Sequence, residues 1–498
     1  MYFYLGPTAI KNRADPPSTR TGVSSIPNTD TDNAMVSEVT AGGEVVAGED
    51  VAMTDKTVRF DEAVLVQPIE RGEPEGSGFY FNFYSSLQNQ ANMIGDTART
   101  GTYRKAILGN AEVAFKDKVV LDVGAGSGIL SYLSAQAGAR HIVALEASSM
   151  AEKIALLVNA SNLGRSNPHI KNRIRVVRGM VENEKVQEEV LRTGKVDTIV
   201  SEPIGVMLLH ERMVESYLLS RDLFLKPGGQ MLPSGGHIFF APFTDEALYN
   251  ETDQKPSQAQ FFNATLFGTD FRELYTVARA EVFAQPVVGM FPPTSLLSAP
   301  CPPKSFDFYT CAKDDLLEFS VPIDYVVSRT ALIHGLASWF DLDFAPNPAS
   351  ATGVNHPSAE EPWEYAVAAQ TAAWPWMSQE TPLNPGPTPP PPPHGLEVKL
   401  STGPDAPRTH WQQARLLLPE PLAANKGERV VGSVHFKVND ARSYDITLEM
   451  RIDRPGPEHQ PNPLIRRAEY NLSQQCFNYS YNPETALPAT VAGMAYGA

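Results

Sequence analysis

Apolar positions along this chain change character near residue 236. Upstream, short unbroken apolar runs alternate with longer segments in which apolar residues recur at helical spacing. KVVLDVGAGSGILSYLSAQAGA reads as a buried strand, a glycine-rich turn and a helix; HIVALEAS is a second strand, SMAEKIALLVNASNL a helix, RIRVVRGM a third strand and KVDTIVSEP a fourth. This alternation predicts a parallel sheet with helices on both faces. Ahead of it, helical patterning begins near Tyr84, and RKAILGN looks like a helix ending at Gly109. Beyond KPGGQMLPSGG come HIFFAPF, EVFAQPVV, SFDFYTC, LLEFSVPIDYVV, RTALIHGLASWFDLDF, GERVVGSVHFKV and SYDITLEMRID. These short aromatic or β-branched runs between turns predict an all-β domain of barrel or sandwich type. FTDEALYNETDQKPSQAQFFNATLF, about 243 to 267, interrupts them with a more helical, amphipathic stretch.

The pattern divides the 498 residues into a leader at 1–76, an α/β domain at 77–235, a β domain at 236–482 and a tail at 483–498. The leader is rich in Thr, Asp, Gly, Ser and Pro and reads as mostly disordered, with room for one strand. A low-complexity insertion at about 345–395 ends in GPTPPPPPHG, which favours extended polyproline II or disorder. It reads as a spacer or as a docking site for SH3- or WW-type domains. A hydrophobic fraction of 42% is ordinary for a chain with a real core. The formal net charge of −16 works against nucleic-acid binding and suits a cationic partner, although acidic excess also serves solubility alone. With no apolar run of membrane length and no basic region ahead of one, neither a span nor a secretory signal is expected, which points to an intracellular protein. Cys301, Cys311 and Cys476 are too few and too scattered for a disulfide framework or a zinc site, and no metal is expected.

Two stretches carry chemistry. VLDVGAGSG places Gly124, Gly126 and Gly128 between a strand and a helix, where missing Cβ atoms let backbone N–H groups approach a ligand. Ile129 stands where the dinucleotide fingerprint needs a third-position glycine, so hydride chemistry falls to second place. Glu146 ends the next strand, where a carboxylate can accept both ribose hydroxyls of a nucleoside, and acidic Glu182 follows the third strand. Without a phosphate-binding lysine motif, S-adenosylmethionine is the ligand these residues fit best. The second stretch is SEPIGVMLLHE, which sets Glu202 and Glu211 in apolar surroundings. An unpaired carboxylate there costs several kcal/mol or takes up a proton, so the pair points to an expected cation. The plainer alternative is a capping or surface role in a loop.

YFNFY (80–84), RTGTYRKAI (99–107), VLDVGAGSGIL (120–130), the two-glutamate stretch, ERMVESY (211–217) and RTHW (408–411) follow one another as in type I protein arginine methyltransferases. Among these the chain most resembles the coactivator-associated, histone-arginine class. The resemblance runs from about Tyr80 to Tyr481, apart from the proline-rich insertion. It implies a Rossmann-like S-adenosylmethionine-dependent methyltransferase domain, a β-barrel and a helical dimerisation arm at about 243–275 that makes a head-to-tail homodimer. It also implies a product, S-adenosylhomocysteine, and residence in nucleus and cytoplasm. Carried over by position, Gln90, Arg99, Gly124, Glu146, Glu182 and Ser216 match cofactor-contacting residues, with Arg99 suited to pair with the methionine carboxylate. Tyr80 and Tyr84 match aromatic residues that cover the cofactor and shape the substrate channel. Met93 matches the residue whose bulk directs the second methyl to the same nitrogen, implying asymmetric dimethylarginine. Asp96 and His410 match a pair proposed to take up the proton, and Trp411 is expected in the channel wall. Val206 stands where the coactivator-associated class has Tyr, and His210 where it has Asn. The folded domain this class carries ahead of its catalytic core is not recognisable in residues 1–76.

Charge explains why such chemistry needs two carboxylates. A guanidinium and a sulfonium about 4 Å apart repel by roughly 4 kcal/mol at an effective dielectric near 20. Glu202 and Glu211 would offset this and orient the guanidinium, and His410 oriented by Asp96 would accept a proton that methylation has made more acidic. The alternatives are a small-molecule methyltransferase and an inactive scaffold of the same fold.

Overall fold

The computed structural model describes residues 81, 83–258, 265–347, 395–453 and 464–481. All of them fall in one compact unit, Val58–Ala498. The leader, Tyr80, most of the proline-rich insertion and the 483–498 tail lie outside the described residues.

Helices α1 (Leu87–Gly95) and α2 (Thr97–Gly109) precede a regular alternation. It runs β1 (Val119–Val123), α3 (Ile129–Gln136), β2 (His141–Glu146), α4 (Met150–Asn162), β3 (Ile174–Arg178), α5 (Glu184–Leu191), β4 (Val196–Ser201), α6 (Met213–Phe224) and β5 (Leu225–Leu232). The strands pair in the order β3-β2-β1-β4-β5, all parallel. Strand β1 is buried at every position, because helices cover both faces of a parallel sheet. The sequence pattern anticipates the first four strands and misses the fifth. KPGGQMLP carries Pro227 and two glycines that look like chain breakers, yet β5 is the sheet's edge, where proline costs no interior ladder bond. Gly229 has a packing reason to be there: a Cβ would come within 2.6 Å of the Leu225 side chain and 2.9 Å of the Asp197 carbonyl.

The β region begins with β6 (Gly235–Phe243). Helix α7 (Glu246–Gln258), a small hairpin of β7 (Thr265–Leu266) and β8 (Thr269–Asp270), and α8 (Tyr275–Phe283) follow as an excursion. Arg279 ties α8 to α7 through Asp253 at 2.7 Å and both to the sheet through the Pro419 carbonyl at 2.7 Å. The excursion thus extends to Phe283, past the end that the sequence suggests. Its second helix is short and only weakly amphipathic, which hides it from a periodicity reading.

The remaining strands are β9 (Val287–Val288), β10 (Lys304–Asp307), β11 (Glu318–Val326), β12 (Ala331–Phe344), β13 (Val398–Ser401), β14 (Ala414–Ala424), β15 (Arg429–Asn439), β16 (Ser443–Asp453), β17 (Arg466–Asn471) and β18 (Cys476–Phe477). They form two sheets, β10-β6-β12-β14-β9-β18 with β13 beside β12, and β11-β15-β16-β17. The arrangement is barrel-like, and among the described residues the strands do not close into one ring. Strand β11 alternates exposed and buried positions without a break, the signature of a sheet with one wet face. Phe240 of the first sheet and Phe319, Phe436 and Tyr444 of the second meet in a common aromatic core. The two ends of the inserted segment are held against the α/β region. Asn347 bonds Gln230 and the Gly229 carbonyl, while Leu396 exchanges two 2.8 Å bonds with the buried Asn110 side chain.

Candidate active site

In an open parallel sheet a ligand crevice forms where strand order reverses, beyond the C-terminal ends of the strands. Here that point lies between β1 and β4. Val123, the last residue of β1, is in register with Ser201, the last of β4, and the Ser201 hydroxyl donates to the Val123 carbonyl at 2.7 Å. Gly124 follows one strand and Glu202 the other, so the glycine turn and the two-glutamate loop start side by side.

The turn is shaped by what its glycines lack. Gly124, Gly126 and Gly128 have φ of +70°, +54° and +83°, a region that side chains rarely occupy. A Cβ would meet Met213 at Gly124, the Gln90 amide at Gly126 and the Tyr132 hydroxyl at Gly128. Glu146 is 7% exposed and accepts from the Gly126 and Ser148 N–H groups at 2.8 and 2.7 Å, one to each carboxylate oxygen. Each oxygen keeps a second lone pair for a hydroxyl donor. Gln90 is buried and donates to the Tyr84 carbonyl at 2.9 Å. Glu182 accepts from Ser216 at 2.6 Å in a more exposed position, and this pair makes no hydrogen bond to the other site residues named here.

Glu202 and Glu211 are each held by a residue from the helical segment ahead of β1. Arg99 of α2 donates to Glu202 Oε2 from Nε at 3.1 Å and from Nη2 at 2.7 Å, with both side chains about nine-tenths buried. The Arg99 guanidinium therefore faces Glu202, and its Nη1 donates to the Met93 carbonyl at 3.3 Å. The Tyr84 hydroxyl sits 2.7 and 2.8 Å from the two oxygens of Glu211. Met93, half-buried near the end of α1, meets Arg99 through that backbone carbonyl.

Asp96 and His410 are 314 residues apart in sequence and in contact in space. The His410 ring is 2.8 Å from Asp96 Oδ2, which also accepts the His410 backbone N–H at 2.7 Å, while Oδ1 caps α2 by accepting from the Arg99 N–H at 2.9 Å. Burial works to raise the Asp96 carboxyl, but these bonds outweigh it and hold the group below its usual value. Trp411, expected in the channel wall, is only 3% exposed; its indole N–H donates to the Ile204 carbonyl at 3.0 Å. It supports the two-glutamate loop from behind, and the His410 ring rests on it at 4.1 Å between centroids.

Three contributors escape a reading of the sequence. Lys153 of α4 reaches the Ser85 carbonyl at 3.1 Å and pins the segment that carries Tyr84. Ser443 of β16 bonds His210, which the sequence marks only as a departure from the class. Asp122 lies beneath the glycine turn, fully buried, with Ser131 donating at 2.7 Å. Burial lifts its carboxyl to about 7 against that bond. Its position inside an apolar strand was a usable signal; Lys153 and Ser443 left none. Among the described residues no cluster of three or more His, Cys, Asp or Glu side chains is arranged to hold a metal, and no helix is long and apolar enough to cross a membrane.

Comparison with known proteins gives these features a context. A family model described as "Arginine methyltransferase oligomerization subdomain" matches residues 237–368 and 392–455, and "Ribosomal protein L11 methyltransferase (PrmA)" matches 104–235. The chain is 38% identical over 400 residues to a probable histone-arginine methyltransferase CARM1 of Oryza sativa subsp. indica, covering 80% of this chain and 64% of that one. It is 36% identical over 423 residues to the histone-arginine methyltransferase CARMER of Drosophila yakuba, covering 84% and 66%. The chain thus spans a little under two thirds of the length of these relatives. Among solved structures it resembles Arabidopsis thaliana protein arginine methyltransferase 10 (TM-score 0.61, 25% identity, 79% of this chain and 100% of that one). It also resembles the Trypanosoma brucei PRMT1 enzyme-prozyme heterotetrameric complex with AdoHcy (TM-score 0.56, 26% identity, 78% and 100%). The fold is that of a Rossmann-like methyltransferase domain with an appended antiparallel region. In both regions the chain resembles protein arginine methyltransferases.

Proposed function

We propose that this protein transfers methyl groups from S-adenosylmethionine to arginine guanidinium nitrogens of proteins, histone tails among them, giving monomethylarginine and then asymmetric dimethylarginine. The observation that supports this reading is the register of Val123 with Ser201, from which the glycine turn and the loop carrying Glu202 and Glu211 both set out. The crevice suits the cofactor. Its glycine turn leaves no room for Cβ atoms, Glu146 keeps lone pairs for ribose hydroxyls, and Gln90 closes over Gly126. When bound, the cofactor supplies a methyl group on a positively charged sulfur, with S-adenosylhomocysteine as the product.

The chain's own residues do the rest. Glu146, Gln90, Gly124 and Gly126 would bind the nucleoside side, with Glu182 and Ser216 at its rim; Arg99 would serve the amino-acid end. Glu202 and Glu211 supply negative charge where a cationic arginine side chain must lie, and because Arg99 and Tyr84 fix them beforehand, little reorganisation is left for the reaction. His410, oriented by Asp96, stands ready to accept a proton. Met93 would narrow the site so that the second methyl joins the same nitrogen.

Two apolar surfaces support assembly as a homodimer. Phe267, Leu274 and Val277 are exposed on the α7–α8 excursion, and Leu156, Leu157 and Leu163 on and just after α4. We read them as two sides of one head-to-tail contact. Histone substrates would place the protein in the nucleus for part of its life, with the cytoplasm as its other location. A docking role for the proline run concerns residues outside those described.

Incubation with labelled cofactor and arginine-rich histone peptides, followed by amino-acid analysis, tests the reading. Label in asymmetric dimethylarginine is expected. Symmetric dimethylarginine as the main product removes the role given to Met93, and no incorporation removes the enzyme.

A further inference from the structure

The loop between β4 and α6 holds an unusual backbone. Met207, Leu208, Glu211 and Arg212 all have positive φ, at 54°, 71°, 75° and 56°, and none is glycine. Side chains rarely adopt this region, and a conformation that repeats it four times in six residues persists only when the surroundings dictate it. Part of the support is internal. Gly205 donates to the Leu208 carbonyl at 3.2 Å, and a Cβ on Gly205 would lie 2.1 Å from the His210 carbonyl oxygen.

The other support comes from the β region, at separate places along the loop. Trp411 holds the first half through the Ile204 carbonyl. Leu208, at the apex, is fully buried over Gly236 of β6, where a Cβ would approach it to 2.9 Å. The second half is held by His210, whose Nδ1 lies 2.8 Å from the hydroxyl of Ser443, a fully buried residue at the start of β16. His210 directly precedes Glu211, itself at φ 75°.

We propose that His210 is a positioning residue: bonded to Ser443, it fixes the backbone that aims the Glu211 carboxylate at Tyr84, so that the β region sets the geometry of the glutamate pair. The contact works by geometry. Desolvation pushes the imidazole down to about 4, so it stays neutral at physiological pH. Its kinetic consequence rests on the function proposed above.

Both partners are tested in the full-length protein. His210→Ala and Ser443→Ala should each lower kcat on an arginine-rich histone peptide about tenfold, with peptide KM and S-adenosylhomocysteine affinity within about twofold of wild type. The double variant should be no worse than either single one, and His210→Asn, which keeps a hydrogen-bonding group, should regain most of the loss. Losses that add, single variants within twofold of wild type, or a parallel collapse of cofactor affinity overturn the proposal. Hydrogen exchange of the 205–212 amides, measured without peptide, gives a readout independent of turnover. Faster exchange in Ser443→Ala is expected, and unchanged exchange overturns the positioning role. If the wild-type protein methylates no arginine, the functional reading fails, and the exchange measurement still decides the role of His210.

Discussion

The two halves of the crevice are built in opposite ways. The glycine turn, Glu146 and the Ser148 amide lie within 25 residues of one another, and a single strand-turn-helix-strand unit brings them together. The glutamate side draws on Tyr84 and Arg99 ahead of the sheet, the 201–212 loop within it, and His410, Trp411 and Ser443 from the β region. The ribose end of the proposed cofactor site, made from local chain, should survive changes elsewhere. A substrate site held by three distant segments responds to any one of them, which is how one common fold can be adapted to particular substrates.

Substitutions can break this contrast. The largest effect is expected for Glu211→Gln. The amide keeps the shape and loses the charge, so turnover should fall by about 10²–10³-fold while cofactor affinity, followed by calorimetry, stays near wild type. Turnover close to wild type would remove Glu211 from the chemistry. Glu146→Ala should do the reverse. It strips two backbone N–H groups of their acceptor and the nucleoside of its partner, so cofactor affinity should drop by about tenfold or more, with kcat at saturating cofactor much less affected. Equal losses in both parameters would show that the two halves are not separable.

Trp411→Phe sharpens the comparison from the β side. It removes one N–H from the Ile204 carbonyl and leaves an aromatic ring in place. A severalfold loss of kcat is expected, without a change in cofactor binding. A weakened cofactor instead would mean that the loop supports both halves.

The smallest effect concerns pH and stability. Asp122, beneath the turn, has its carboxyl raised by burial to about 7. The folded protein therefore holds a proton that the unfolded chain has lost, and this group's contribution to stability is complete below about pH 4 and disappears as the pH rises through about 7. Asp96, on the glutamate side, is shifted the other way, and its contribution is lost as the pH falls below the ordinary carboxylate range. Asp122→Asn should flatten the decline of Tm between about pH 5 and about pH 8. An unchanged decline would show that Asp122 is not the group responsible.

Much of this organisation is legible in the order of the amino acids alone. Buried strands announce themselves as short, mostly apolar runs, and the glycine turn and Glu146 stand out by their spacing. The edge strand β5 is hidden because its Pro227-Gly228-Gly229 segment mimics a turn, and α8 because a nine-residue helix of mixed polarity has no clear period. On the glutamate side the sequence offers candidates without relations. Asp96 and His410 can be paired only through resemblance, Trp411 reads as a wall where it is a prop, and Ser443 gives no sign at all.

By itself, then, the sequence determined what is written within one turn of chain: strand periodicity, a glycine-dependent backbone, and two carboxylates in an apolar setting. The tertiary structure alone decided which distant groups hold those carboxylates and their loop, because Arg99 and Tyr84 reach their partners only when the leading helical segment packs on the α/β sheet, and Trp411 and Ser443 only when the β region packs against the loop. Local conformation depends on neighbouring residues and short-range sterics. A hydrogen bond spanning a hundred residues or more depends on the packing of everything between.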